Sequence, residues 1–121
     1  MAHSINVLVV DDEEIMRNLF SDILKDEGYN VTTMSNGKEA GDKAREQFFD
    51  IAFLDVHMPI IDGIKTLNLF REITPKTAVI MMDSMPEYME EDPKKHGAVA
   101  CIKKPFDIDE VKDIVHKIRG Q

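Results

Sequence analysis

Ile5-Asn6-Val7-Leu8-Val9-Val10-Asp11-Asp12 decides how the rest of the chain is read. The run is almost uninterruptedly apolar and rich in Val and Ile, the pattern of a strand covered on both faces rather than one with a wet side. It stops abruptly on two carboxylates. Helical spacing follows at once, with Ile15, Met16, Leu19, Phe20, Ile23 and Leu24 on one stripe and Gly28 as the stop. Strand, acidic turn and helix form the repeating unit of an α/β sheet.

The same unit recurs along the chain. Tyr29 to Thr33 reads as a second strand, short and partly polar, resting on the β-branched Val31, Thr32 and Thr33. Asn36 with Glu39 three residues on marks a helix start, with Ala40, Ala44 and Phe48 as the inward stripe. Ile51 to Leu54 is a third strand ending at Asp55. His57-Met58-Pro59 and Asp62-Gly63 punctuate the loop before a helix marked by Ile64, Leu67 and Phe70. Ala78 to Met82 is a fourth strand, closed by Asp83 and Ser84. Pro86 suits the first turn of a short helix with an acidic start (Glu87, Glu90, Glu91) and a basic end (Lys94, Lys95), cut by Pro93. Ala98 to Ile102 is a fifth strand, ending at Lys103 and Lys104, and Ile108, Val111, Ile114, Val115 and Ile118 mark a final helix. Five strands alternating with five helices predict right-handed crossovers, hence a doubly wound, five-stranded parallel sheet with helices on both faces. No repeat, low-complexity segment or linker interrupts the alternation, so residues 1–121 are expected to form a single domain.

Composition narrows the functional classes. With 43% hydrophobic and 31% charged residues, the chain suits a globular fold and neither disorder nor a disulfide scaffold. Fifteen Lys and Arg against 23 Asp and Glu leave a formal charge of -8, which argues against a broad nucleic-acid surface despite Lys103, Lys112, Lys117 and Arg119 near the end. The single cysteine, Cys101, excludes an intrachain disulfide and is expected to be a buried, inert thiol in a reducing compartment. Met1-Ala2-His3-Ser4 lacks the features of a secretion signal, and no apolar run approaches the roughly 20 residues of a membrane span. A cytoplasmic location is therefore expected, with no membrane contact.

In an open parallel sheet, ligands bind beyond the carboxyl ends of the strands. Four of the five expected strands end there in charge: Asp11 and Asp12, Asp55, Asp83, and Lys103 with Lys104. Carboxylates crowded together repel one another, and a hard divalent cation such as Mg2+ relieves that cost. A cation beside Asp55 with a lysine opposite would neutralise a transferring phosphoryl group while the carboxylate attacks in line, giving an acyl phosphate.

Asp11-Asp12, Asp55 with Met58-Pro59 and Asp62-Gly63, and Lys104-Pro105-Phe106 occur in this order, and in them the chain resembles the receiver domain of bacterial two-component response regulators over essentially its whole length. The resemblance implies a flavodoxin-like fold, with Asp55 as phosphoacceptor and Lys104 pairing with the phosphoryl group. It implies Asp12 as a direct Mg2+ ligand, Asp11 as a ligand through water, and the backbone carbonyl of His57 as a further ligand. Pro105 matches the proline that shapes the last active loop. Implied partners are a histidine kinase or phosphotransfer protein upstream and a downstream protein or output domain. A homodimer through the fourth and fifth helices is also admitted; Met85, Tyr88 and Met89 would lie on that surface.

Two positions depart from the family pattern. The Thr or Ser expected at the end of the fourth strand is Asp83, which when ionised cannot donate a hydrogen bond to a phosphoryl oxygen and would repel it. Ser84 offers a hydroxyl one residue along, but a one-residue shift turns a side chain to the other face. Cys101 stands where many receivers carry a Tyr or Phe that swings inward. Acceptance is thus expected to persist with an altered switch at Asp83, Ser84 and Cys101. Two alternatives are a phosphorylation-independent binding module and a magnesium-dependent phosphohydrolase with Asp55 as nucleophile; the chain shows no evident general acid for rapid turnover.

Overall fold

In the computed structural model, residues 4–58, 61–84, 92–104 and 106–120 are described. Strands β1 (Asn6–Val10), β2 (Asn30–Met34), β3 (Ile51–Asp55), β4 (Ala78–Asp83) and β5 (Ala100–Lys103) form one parallel sheet in the order β2-β1-β3-β4-β5. Helices α1 (Glu14–Asp26), α2 (Gly37–Glu46), α3 (Gly63–Ile73) and α4 (Ile108–Arg119) cover it, with a 3₁₀ turn at Pro93–His96. This is the doubly wound, flavodoxin-like arrangement expected from the sequence.

Alternation along the buried strands divides the core. Val7, Val9, Ile51, Phe53, Ile80, Met82 and Ile102 face α1 and α4, where they meet Phe20, Ile23, Leu24, Val111 and Val115. Leu8, Val10, Ala52, Leu54, Val79 and Met81 face the other way, against Ala40 and Ala44 of α2 and Leu67 and Phe70 of α3. The three central strands thus read as apolar runs because both faces are covered. The half-polar β2 is an edge strand, and its exposed Asn30 and Thr33 follow from that position.

Local chemistry sets the helix ends. Asn36 caps α2 by accepting the Glu39 N–H at 2.9 Å, and Asp62 caps α3 by accepting the Lys65 N–H at 2.9 Å. Gly28 ends the first helical unit at φ 89°, a left-handed conformation that glycine adopts without Cβ strain. The small buried face of α2 (Gly37, Ala40, Gly41, Ala44) lets it lie close to Thr66 and Leu69 of α3.

Several expectations change. Phe48 is 48% exposed, and Phe49 enters the core instead. The helix stops at Glu46 and Gln47 turns to extended backbone (φ -144°), so helical phase no longer governs the two phenylalanines. Ile15 (81% exposed) and Leu19 lie outside the buried stripe of α1, which is Phe20, Ile23 and Leu24. The last strand begins at Ala100, two residues later than the pattern suggested. Lys94 and Lys95 are not the basic end of the expected short helix but lie in a 3₁₀ turn that Pro93 opens, capped by the Asp92 side chain, which accepts the Lys94 N–H at 3.0 Å. The helix expected from Pro86, with Met85, Glu87, Tyr88, Met89, Glu90 and Glu91, lies outside the described residues, as do Pro59 and Pro105.

Candidate functional site

β1 and β3 are neighbours, and the strand order reverses between them, so their carboxyl ends open onto the crevice of the sheet. Asp11 follows the last residue of β1 and Asp55 is the last residue of β3. The Asp11 and Asp55 side chains are buried, while Asp12 is exposed. Oxygens of Asp11, Asp12 and Asp55 all lie within 4.8 Å of one another.

Lys104 enters this cluster from beyond β5. Its ammonium donates to Asp11 Oδ2 at 2.8 Å, lies 3.4 Å from Asp55 Oδ2 and 3.7 Å from Glu13 Oε1, and is mostly buried. The backbone beneath it is fixed, since the Lys104 N–H donates to the Asp83 carbonyl at 2.7 Å. Phe106 also anchors the segment by packing edge-on against Phe20, 5.2 Å between ring centres, and Phe20 in turn meets Phe53 at 4.9 Å. One aromatic chain therefore links α1, β3 and the lysine-bearing loop.

The backbone shapes the carboxylates as well. Asp11 Oδ1 accepts the Glu13 N–H at 2.9 Å, and the Asp11 carbonyl accepts from the Arg17 guanidinium at 2.8 Å. The His57 N–H donates to Asp55 Oδ1 at 3.3 Å. Gly63, whose N–H donates to the Val56 carbonyl at 2.9 Å, lets α3 press against the end of β3; a Cβ there would strike the Asp55 carbonyl oxygen. This close approach explains the Asp62-Gly63 pair: a cap followed by a residue with no side chain.

Charge balance is reflected in the titration of the groups. Burial, then the neighbouring Asp11 charge, pushes the Asp55 carboxyl up to about 6 against the pull of Lys104. Burial draws the Lys104 ammonium down, but its hydrogen bond to Asp11 and the charges of Asp11 and Asp55 outweigh that, leaving it above the usual lysine value. Three aspartate carboxylates converge, one ammonium contacts two of them, and each of these side-chain donors is a hard oxygen. The set fits a hard divalent cation.

Asp83 ends β4 with its side chain fully buried, and its Oδ1 lies 3.0 Å from His57 Nε2. Ser84 is exposed beyond the strand end. Cys101 is half-buried rather than fully buried, packed beside the apolar cluster under α2 and α3. Burial first, then Asp83 and Asp92, raises its thiol pKa and keeps it protonated. The sequence pattern did not indicate Glu13, Arg17 or Asp83 as the partner of the His57 imidazole. The position of Glu13 directly after the acidic pair was the available signal for the first; the other two depend on side-chain reach.

A family model described as the response regulator receiver domain matches residues 7–116. The chain belongs to the response regulator receiver family. It is similar to sporulation initiation phosphotransferase F of Bacillus subtilis, 36% identical over 112 residues that cover 92% of this chain and 90% of that one. Chemotaxis protein CheY of the same organism is 36% identical over 119 residues, covering 97% and 98%. Among solved structures, response regulator protein TrrA from Thermotoga maritima, in complex with Mg2+ and BeF, is similar with a TM-score of 0.85 and 32% identity, covering 94% of this chain and 98% of that one. The receiver is thus a phosphoacceptor domain of two-component signalling with a divalent-cation site in its acidic cluster. Such domains catalyse their own phosphorylation and dephosphorylation and are not general turnover enzymes, which sets the phosphohydrolase alternative aside. Among the described residues, no helix is long and apolar enough to cross a membrane.

Proposed function

We propose that residues 1–121 form one receiver domain in which Asp55 accepts the phosphoryl group, Lys104 pairs with it, and Asp11, Asp12, Asp55 and the His57 carbonyl hold Mg2+. The supporting observation is the convergence of the Asp11, Asp12 and Asp55 oxygens within 4.8 Å with the Lys104 ammonium against two of them. The donor is a phosphohistidine of a histidine kinase or phosphotransfer protein, and the output is binding to a downstream protein or output domain in the cytoplasm.

The chemistry follows from the charges. An oxygen of the ionised Asp55 attacks phosphorus in line, the P–N bond of the donor breaks, and its electron pair leaves on the imidazole nitrogen, giving an acyl phosphate. The His57 N–H orients the Asp55 carboxylate, and the Lys104 ammonium lies where charge develops on the phosphoryl oxygens. Bound Mg2+ supplies Lewis-acid neutralisation of those oxygens. Asp11 keeps Lys104 in place between transfers through their 2.8 Å hydrogen bond.

Incubation with a radiolabelled phosphohistidine donor tests the proposal. Label should appear only with Mg2+, fail to form when chelator is present from the start, and be labile to base as an acyl phosphate. Absence of transfer from a donor that labels other receivers would favour a phosphorylation-independent binding module.

A further inference from the structure

His57 touches both sides of the crevice. Its backbone N–H donates to Asp55 Oδ1 at 3.3 Å, and its imidazole Nε2 lies 3.0 Å from Asp83 Oδ1, 26 residues away in sequence. With Asp83 ionised, its carboxylate accepts and the shared hydrogen lies on Nε2. The Asp83 side chain is fully buried, whereas that of His57 is 71% exposed. The imidazole has room to rotate, and the carboxylate does not. The Asp83 carbonyl accepts the Lys104 N–H at 2.7 Å, so a shift at the end of β4 also reaches the lysine-bearing segment.

A phosphoryl group on Asp55 adds oxygens that accept hydrogen bonds, and a carboxylate at Asp83, when ionised, can donate none. Among the described residues, a donor on this flank is the imidazole N–H that meets Asp83, rooted in the residue whose backbone already binds Asp55. We propose that His57 is the positioning residue standing in for a hydroxyl at the end of β4: it holds Asp83 in the resting protein and passes its hydrogen bond to the phosphoryl group when Asp55 is loaded, releasing β4. No bond is made or broken covalently; one N–H changes acceptor. The inference rests on Asp55 being the phosphoacceptor.

The test uses the full chain with Mg2+ and beryllium fluoride, following the imidazole nitrogen resonances of His57 and amide exchange at residues 82–84 and 104. On saturation, the wild-type Nε2 resonance should shift, and exchange at the end of β4 should rise about threefold to tenfold, the range of one net hydrogen bond. His57→Ala should show the faster exchange before fluoride is added and change by less than about twofold afterwards, while His57→Gln, which keeps a donor, should restore part of the response. A stationary imidazole resonance at saturation, or a full response in His57→Ala, would overturn the proposal. So would loss of fluoride binding in both variants, because the imidazole would then be required for loading. A wild-type protein that neither binds fluoride nor forms a phosphoryl adduct would instead defeat the acceptor reading and the inference with it.

Discussion

The two flanks of the crevice are built on different terms. On the β1 and β3 side, Asp11 and Asp55 are buried and share one ammonium, Lys104, within 2.8 and 3.4 Å. On the β4 side, the buried Asp83 meets an imidazole whose side chain is 71% exposed, and the nearby Cys101 offers a small protonated thiol. The first flank is a close charge cluster held by backbone donors and an aromatic anchor. The second includes a hydrogen bond from an exposed side chain on a loop. The proposed acceptor and the proposed readout sit on different strands, which would let residues of the second flank depart from the family pattern while those of the first remain.

The largest effect should come from removing the first flank's cation. Lys104→Met leaves two buried carboxylates facing each other and should destabilise the metal-free domain by about 3 to 5 kcal/mol in chemical denaturation. A loss below about 1 kcal/mol, the scale of a surface ion pair, would erase the distinction between the flanks.

Asp55 should respond in the opposite sense. Its carboxyl, raised from 3.8 to about 6, binds a proton more tightly in the folded state than in the unfolded one. The associated stability is fully present below about pH 4 and is lost as pH rises through about 6. Asp55→Asn should therefore stabilise the metal-free domain above pH 7 by about 2 to 3 kcal/mol and flatten its melting temperature between pH 4 and 7. An unchanged pH profile would contradict the stated charge balance.

A smaller effect should separate the flanks by metal. Mg2+ at ten times its dissociation constant should stabilise the wild type by about 1.4 kcal/mol, read as a rise in melting temperature. Asp55→Asn should reduce that rise, and Asp83→Asn should retain it. Equal reduction by both would place the cation between the flanks rather than on the first.

The same contrast governed what the sequence disclosed. β1, β3 and β4 were legible because strands buried on both faces read as continuous apolar runs, and the charges that interrupt those runs mark the strand ends. Asp11, Asp55 and Lys104 were legible for that reason, although they are separated by up to 93 residues. The edge strand β2 was legible only through its β-branched residues. Phe48 and Phe49 were not separable by pattern, since the extended Gln47 breaks the helical phase just before them. Nor did pattern reveal the His57 imidazole on Asp83: a turn after β3 carries one residue back over the end of β4, and no periodicity encodes that reach. Sequence named Asp83 as a departure; geometry supplied its partner.

The central claim is that Asp55 accepts a phosphoryl group within the cation-binding flank. Intact mass after exposure to Mg2+ and a small phosphoryl donor, beside an Asp55→Asn control, tests it most directly. A single labile phosphoryl adduct should form on the wild type, require Mg2+ and be absent from the control. An adduct that persists in Asp55→Asn, or a wild type left unlabelled under conditions that label other receivers, would contradict it.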